Sequence, residues 1–252
     1  MARNIFSLSF VLSPEVLTIK ETAIKIISLL DILRSYDEVF SKFTYSKLDF
    51  PRTDFNLTKD DLNELVDKLS DTMLSMNLSD IQQYNNVINP IINFGRDFGF
   101  SFLLDFDDTS KKHFSITGNI SSSKFSSFSI KHFPFENSDY DFDWYFSVLK
   151  LINMNLRPLY SGVKITIEQY MDLYLPLKIK YPLGWITYFS DDSKIKTPDD
   201  IGFEVLKVEG GCYIIATRND FTQSKEEFLE IKDKLIEATK KLKKYSPEYS
   251  EG

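Results

Sequence analysis

Three groups of aspartates in this sequence have a spacing that could serve in catalysis or in metal binding. They are Asp105 with Asp107, Asp139 with Asp141 and Asp143, and Asp191 with Asp192. The alternating middle group matches the start of a calcium loop, in which carboxylate oxygens bind the cation. Such a loop also needs Gly at its sixth position and Glu at its twelfth. Trp144 and Lys150 occupy those positions, so no calcium site is predicted.

The first group lies in the run Asp105-Phe106-Asp107-Asp108-Thr109, which follows an apolar segment. It resembles the nucleophile loop of haloacid-dehalogenase-type phosphatases. The resemblance implies that Asp105 attacks phosphorus, that Asp107 is the general acid and base, and that Asp191 and Asp192 serve as the acidic magnesium motif. That family places its nucleophile on a parallel strand, whereas here an antiparallel strand is predicted to follow at once. A motif outside its structural setting carries little weight, so an acidic hairpin turn is the preferred interpretation.

The remaining candidate groups are two histidines and one cysteine. His113 and His132 lie in predicted strands without a Cys or His at the spacing of a metal site. Each is therefore predicted to be a strand residue that faces water or is half-buried. Cys212 lies in a strand pattern without a nearby histidine base, which favours a small buried hydrophobic residue. We predict no catalytic residue, no metal site and no cofactor.

The composition limits the choice of partner and compartment. The formal net charge is -7, which disfavours nucleic acid because its binding requires neutralised phosphates. A basic protein partner suits this charge better. The single cysteine is at home in a reducing compartment, residues 5–12 are too short and too interrupted for a signal peptide, and no run approaches the roughly 18 apolar residues of a membrane span. We predict a cytoplasmic protein that binds neither nucleic acid nor membrane.

Periodicity predicts the elements of the N-terminal half, residues 1–138. A strand pattern at residues 5–12 precedes a helix that Ser13-Pro14-Glu15 opens. Further helices are predicted from Thr58 to about residue 76 and over residues 79–88. Strands are predicted at residues 98–106, 113–120 and 125–133. Their short linkers favour antiparallel pairing, because parallel crossovers need about a dozen residues or more.

The C-terminal half, residues 139–252, repeats this order. The predicted elements are a helix over residues 139–156, a strand near 160–165, a helix or turn near 166–175, and strands at 185–189, 203–208 and 213–217. Gly210-Gly211 is predicted to make the last hairpin turn, and Ser224 with Glu227 forms a capping box for the final helix. The order strand, helix, three strands, helix thus occurs twice. The predicted fold class is α+β, with a mainly antiparallel sheet and helices packed on it.

A recognisable pattern occupies residues 181–217. It reads Tyr-Pro-Leu-Gly-Trp-Ile-Thr-Tyr-Phe-Ser at residues 181–190, then Thr197-Pro198, then Glu-Gly-Gly-Cys-Tyr-Ile-Ile-Ala-Thr at residues 209–217. This pattern resembles the C-terminal part of bacterial immunity proteins from polymorphic-toxin and type VI secretion systems, especially the immunity protein 52 family. The resemblance implies a protein that binds a cognate toxin, often a nuclease, and blocks it without being an enzyme. Residues 1–140 lie outside this resemblance.

Aromatic residues beside acidic loops are the candidate toxin contacts, namely Trp185, Tyr188, Asp191, Asp192, Asp199 and Asp200. Trp and Tyr often anchor protein interfaces, and carboxylates can dock on a basic nucleic-acid-binding surface. The other interpretation is that Trp185 and Tyr188 are simply residues in the core and at the edge of a strand. The leading hypothesis is an immunity protein that occludes the active or substrate-binding surface of a secreted toxin. The alternatives are a metal-dependent phosphatase-like enzyme using Asp105 and Asp107, and an interaction scaffold without a toxin partner.

Overall fold

The computed structural model describes residues 4–15, 17–41, 43–45, 53–55, 100–108, 112–120, 126–134, 141–167, 181–219, 221–222, 224–246 and 249. The chain forms two compact units. We name Val11–Ile130 the central unit, and Met1–Phe10 with Lys131–Gly252 the terminal unit. All strand pairs whose register is given below are antiparallel, and the α+β fold class with a mainly antiparallel sheet is confirmed.

The central unit contains one described α-helix and a run of strands. Its elements are α1 (Ile19–Tyr36), a short 3₁₀ helix (Glu38–Ser41), β2 (Phe43–Tyr45), β3 (Thr53–Phe55), β4 (Phe100–Asp108), β5 (Lys112–Ile120) and the first residues of β6 (Ser126–Pro134). The strand order is β3-β2-β4-β5-β6. The three strands predicted between residues 98 and 133 are confirmed. The helices predicted over 58–76 and 79–88 lie outside the described residues.

Helix α1 begins later than the sequence pattern predicted. Thr18 is its N-cap, and a capping box joins Thr18 to Glu21: the Thr18 N–H donates to the Glu21 carboxylate at 2.8 Å, and the Glu21 N–H donates to the Thr18 hydroxyl at 3.2 Å. This reciprocal bonding satisfies two amide donors at the helix start. Ser13 was therefore the wrong cap. Apolar residues spaced three or four apart on this helix, Ala23, Ile26, Leu30 and Leu33, are buried.

The terminal unit carries the sheet and helices that build the candidate site. Its elements are most of β1 (Asn4–Leu12), α2 (Phe142–Leu156), β7 (Tyr160–Ile167), β8 (Ile186–Ser190), β9 (Glu204–Val208), β10 (Gly211–Ile215) and α3 (Lys225–Tyr245). The strand order is β1-β7-β8-β10-β9. The predicted strands are confirmed. Residues 166–167 extend β7 instead of starting the helix or turn predicted near 166–175, and residues 168–180 lie outside the described part.

Helix α3 begins at its predicted cap, and α2 begins at Phe142, three residues after the predicted start at residue 139. Asp141 accepts a hydrogen bond from the Trp144 N–H at 3.1 Å and caps α2. Ser224 accepts one from the Glu227 N–H at 3.3 Å and caps α3. Within the described residues, none of the helices has the length and apolar character that crossing a membrane requires.

Strand β8 lies in the core of this unit, and all five of its residues are buried. Tyr188 lies opposite Tyr213 of β10, and the ring of Tyr213 meets Phe146 of α2 at 5.1 Å, edge to face. Phe189 points to the other face, where its ring lies 6.0 Å from that of Tyr249. Both faces of β8 are therefore covered by side chains from distant parts of the chain.

Candidate partner-binding surface

Trp185 lies in the core immediately before β8. Its side chain is only 3% exposed, and its indole N–H donates to the Thr217 carbonyl at 2.9 Å. The rings of Phe142 and Phe221 lie 5.7 and 5.8 Å away, both edge to face. A buried indole with its N–H satisfied is a packing residue, so no partner can reach Trp185 in this conformation.

Tyr188 is also interior, and its hydroxyl fixes a turn. The residue is 6% exposed, and its hydroxyl donates to the Gly210 carbonyl at 2.9 Å. Burial, together with the neighbouring carboxylate of Asp191, raises the pKa of this phenol, so it stays neutral and remains a hydrogen-bond donor. Of the two predicted interpretations, the structure places both aromatic residues in the core.

The hairpin turn between β9 and β10 consists of Glu209 and Gly210, with Gly211 already in the strand. Gly210 has a φ of 82°, a conformation that glycine adopts without steric cost. A Cβ on Gly211 would lie 2.3 Å from the Phe189 carbonyl oxygen and 2.8 Å from the ring of Tyr188. Glycine is thus required at the two positions for different reasons: Gly210 has a positive φ, and Gly211 allows the close approach of the Tyr188 ring.

Asp191 and Asp192 lie next to this turn. They begin the 3₁₀ helix Asp191–Ser193, and the Asp191 N–H donates to the same Gly210 carbonyl, at 2.9 Å. Both aspartates and Glu209 are exposed. We call these three residues, Asp191, Asp192 and Glu209, the acidic corner. Because the Gly210 carbonyl accepts from both the Tyr188 hydroxyl and the Asp191 amide, two separate loops are held together there.

Asp199 and Asp200 are exposed too, but their surroundings differ. The Asp200 carboxylate lies 3.3 Å from the Lys241 ammonium group on α3, and Lys241 also donates to the Asp200 backbone carbonyl at 2.5 Å. Lys240, Lys243 and Lys244 belong to the same end of that helix. The two predicted acidic pairs are thus chemically distinct, since the Lys241 ammonium group pairs with Asp200 of the second pair.

The phosphatase interpretation lacks the strand arrangement it requires. Asp105 lies within β4, opposite Thr44 of β2 on one side and Ser115 of β5 on the other, in antiparallel register. It is therefore not at the carboxyl end of a parallel strand. The alternative prediction of an acidic turn is also wrong, because β4 continues through Asp108. Within the described ranges, no three His, Cys, Asp or Glu residues are placed to hold a metal ion.

Of the three remaining candidates, His132 and Cys212 are structural. His132 is fully buried instead of facing water, and its Nδ1 lies 2.6 Å from the Tyr145 hydroxyl. Cys212 is half-buried, with its Sγ 3.4 Å from the Thr197 hydroxyl oxygen. Burial raises the pKa of this thiol, which lowers its thiolate fraction and hence its nucleophilicity. His113 lies in β5 opposite Asp107, and its side chain is outside the described part.

No protein-family model matches this sequence, and no curated protein matches it. The assignment of residues 181–217 to the immunity protein 52 family therefore stays a prediction. Among solved structures, the chain is similar to the Pseudomonas aeruginosa T6SS protein PA0821, with a TM-score of 0.48 and 11% sequence identity. The similarity covers 94% of this chain and 73% of that protein. A likeness this distant carries no argument about family or function.

Proposed function

We propose that this chain is an immunity protein, which binds a cognate secreted bacterial toxin in the cytoplasm and blocks it without catalysing a reaction. The observation that carries the proposal is the acidic corner, in which the Asp191 N–H and the Tyr188 hydroxyl both donate to the Gly210 carbonyl and hold together the two loops that carry three exposed carboxylates. It lies in the segment whose residues resemble those of immunity proteins. The partner that fits this surface is a toxin with a basic active-site or substrate-binding surface, such as a nuclease.

Charge and rigidity both support this choice of partner. Exposed carboxylates near an interface steer a basic partner and raise the association rate more than they raise the affinity itself. The Asp191 amide and the Tyr188 hydroxyl hold the backbone of the corner from two sides, so this backbone has little conformational entropy left to lose on binding. A fixed acidic surface can therefore compete for the cations that would otherwise bind nucleic acid.

In this proposal, the buried residues of the segment 181–217 and its exposed acidic residues have different roles. Trp185, Tyr188 and Gly211 are buried or sterically required, so they build the scaffold. Asp191, Asp192 and Glu209 are exposed and contact the toxin. Asp199 and Asp200 lie on the same connection between β8 and β9, but Lys241 compensates Asp200. We assign the electrostatic contribution to the acidic corner.

The first experiment tests protection and binding. The product of the gene adjacent to this one is tested as the candidate toxin: it is expressed alone and together with the chain, and the purified pair is examined by calorimetry. We expect restored growth and a stoichiometric complex with a nanomolar Kd, which corresponds to about -12 kcal/mol. A toxin that remains fully active beside a folded excess of this chain would refute the proposal.

The second experiment locates the contact with two matched charge reversals. D191K/D192K alters the acidic corner, and D199K/D200K introduces the same change of charge beside Lys241. We expect the corner variant to lower the association rate about tenfold at low salt, and the difference to shrink at high salt, since charges are screened over about 10 Å at 0.1 M. The D199K/D200K variant loses an exposed ion pair worth about 1 kcal/mol or less. Equal effects of the two variants would show that net charge alone, and not the corner, controls association.

A further inference from the structure

Strand β9 lies at the edge of the sheet of the terminal unit. Among the described strands it pairs with β10 alone, from Glu204 opposite Ile215 to Val208 opposite Gly211. An edge strand presents a row of unpaired amide and carbonyl groups, which can pair with another chain. The edge of β9 is therefore a template for strand addition.

The two-residue turn determines which backbone groups point outward. Val208 and Gly211 flank the turn directly, so they form a hydrogen-bonded pair, and such pairs alternate with non-hydrogen-bonded pairs along an antiparallel ladder. Leu206 is then in a hydrogen-bonded pair with Tyr213, and its N–H points to β10. Val205 and Lys207 are in non-hydrogen-bonded pairs with residues of β10, so their N–H and C=O groups point away from β10.

The side chains of β9 add an apolar surface to this edge. Leu206 is 37% exposed and Val208 is 40% exposed, and both lie on the face that Tyr213 shares. At one end of the strand the Glu204 carboxylate accepts two hydrogen bonds from Arg218, at 2.9 and 2.6 Å. This bidentate pair neutralises the charge at that end. The acidic corner lies at the other end.

These features define a partner of particular chemistry. We propose that the toxin adds an extended strand to the edge of β9. This proposal rests on the proposed function and names the surface that the toxin uses. The added strand carries apolar residues at alternate positions, to cover Leu206 and Val208, and Lys or Arg residues where it reaches the acidic corner. A second copy of this chain is the poorer occupant, because it brings the same net charge of -7 and the same corner.

The test compares two substitutions at one outward position. K207P removes the outward N–H, which an edge strand tolerates because proline there costs no ladder hydrogen bond. K207A removes the same charge but keeps that N–H, so it is the matched control. With the purified product of the neighbouring toxin gene as the probe, we expect K207P to weaken binding at least tenfold and K207A to bind within about twofold of the parent. Circular dichroism and thermal melting verify that both variants are folded.

Amide exchange on the unaltered chain gives an independent measurement. Binding of the toxin should slow the exchange of the Val205 and Lys207 amides, and it should slow them together. If K207P binds as tightly as the parent and these amides exchange as before, strand addition is wrong while the immunity function stands. Absence of any complex with the parent chain overturns both proposals. A dimer of the chain alone that K207P abolishes would assign the edge to a second copy and overturn the toxin strand.

Discussion

Replacing Asn153 by Leu tests whether one buried polar network joins α2 to the sheet of the terminal unit. The Asn153 amide donates to the Tyr213 hydroxyl at 3.0 Å, and its carbonyl oxygen accepts from the Ser161 hydroxyl at 2.8 Å. All three residues are buried. One side chain on α2 thus bonds to both β7 and β10, and Leu has a similar volume, so the substitution removes the polar groups without opening a cavity.

The size of the effect follows from the two hydroxyls that lose their partner. A buried polar group left unsatisfied costs about 1–3 kcal/mol, so N153L, which leaves two of them, should lower the free energy of unfolding by roughly 2–6 kcal/mol. That is a large part of the 5–15 kcal/mol by which native proteins are typically stable. Replacing all three partners, as N153L/S161A/Y213F, should restore most of the loss, because an apolar group in place of each partner leaves nothing unsatisfied.

Urea unfolding followed by tryptophan fluorescence measures these values, since the buried indole of Trp185 reports on the core of this unit. The expected signature is strong non-additivity, with the triple variant more stable than N153L alone. If the losses of the three single variants simply add up in the triple variant, the residues act independently and the network argument is refuted. S161A and Y213F complete the cycle and should each cost less than N153L.

G211A should lower the free energy of unfolding by about 1–3 kcal/mol, because the added Cβ would meet the Phe189 carbonyl at 2.3 Å; an unchanged melting temperature would contradict this. T18A should cost about 1 kcal/mol through the lost capping box, while S13A should have no effect, as chemical denaturation can show. Burial raises the pKa of Tyr213 to about 12 from 10.0, so the folded protein holds this proton more tightly than the unfolded chain. Its contribution to stability is complete below pH 10 and is lost between pH 10 and about 12; pH-dependent denaturation that shows no loss in this window, or a smaller one in the parent than in Y213F, would contradict the assignment.

Strands with one covered face could be predicted from the sequence because their side chains alternate. In β6, Phe128, Ile130 and His132 are buried, while the residues between them are exposed or half-buried. A strand with one covered face shows a period of two whatever its neighbours are. The start of α1 could also be predicted, because Thr18-x-x-Glu21 is a capping-box pattern that competes with the helix-start pattern at Ser13.

The order of strands needed the tertiary structure. The three strands β4, β5 and β6 lie in sequence order, whereas the later three are arranged β8-β10-β9. The connection between β8 and β9, residues 191–203, is long enough for β9 to lie either beside β8 or beyond β10, so linker length could not separate the two arrangements. Only the structure shows that β9 is at the edge of the described sheet, with β10 on one side and the outward backbone groups of Val205 and Lys207 on the other.

In the candidate site, too, some features could be predicted from the sequence and others needed the tertiary structure. The exposure of Asp191 and Asp192 could be predicted from their type and from their place in a loop, because charged groups are costly to bury. The burial of Trp185 and Tyr188 could not, since every residue of β8 is buried and such a strand shows no alternation. Tyr213, paired to α2, covers one face and Tyr249 covers the other. Which aromatic residues face the solvent was therefore decided by packing between residues far apart in the chain.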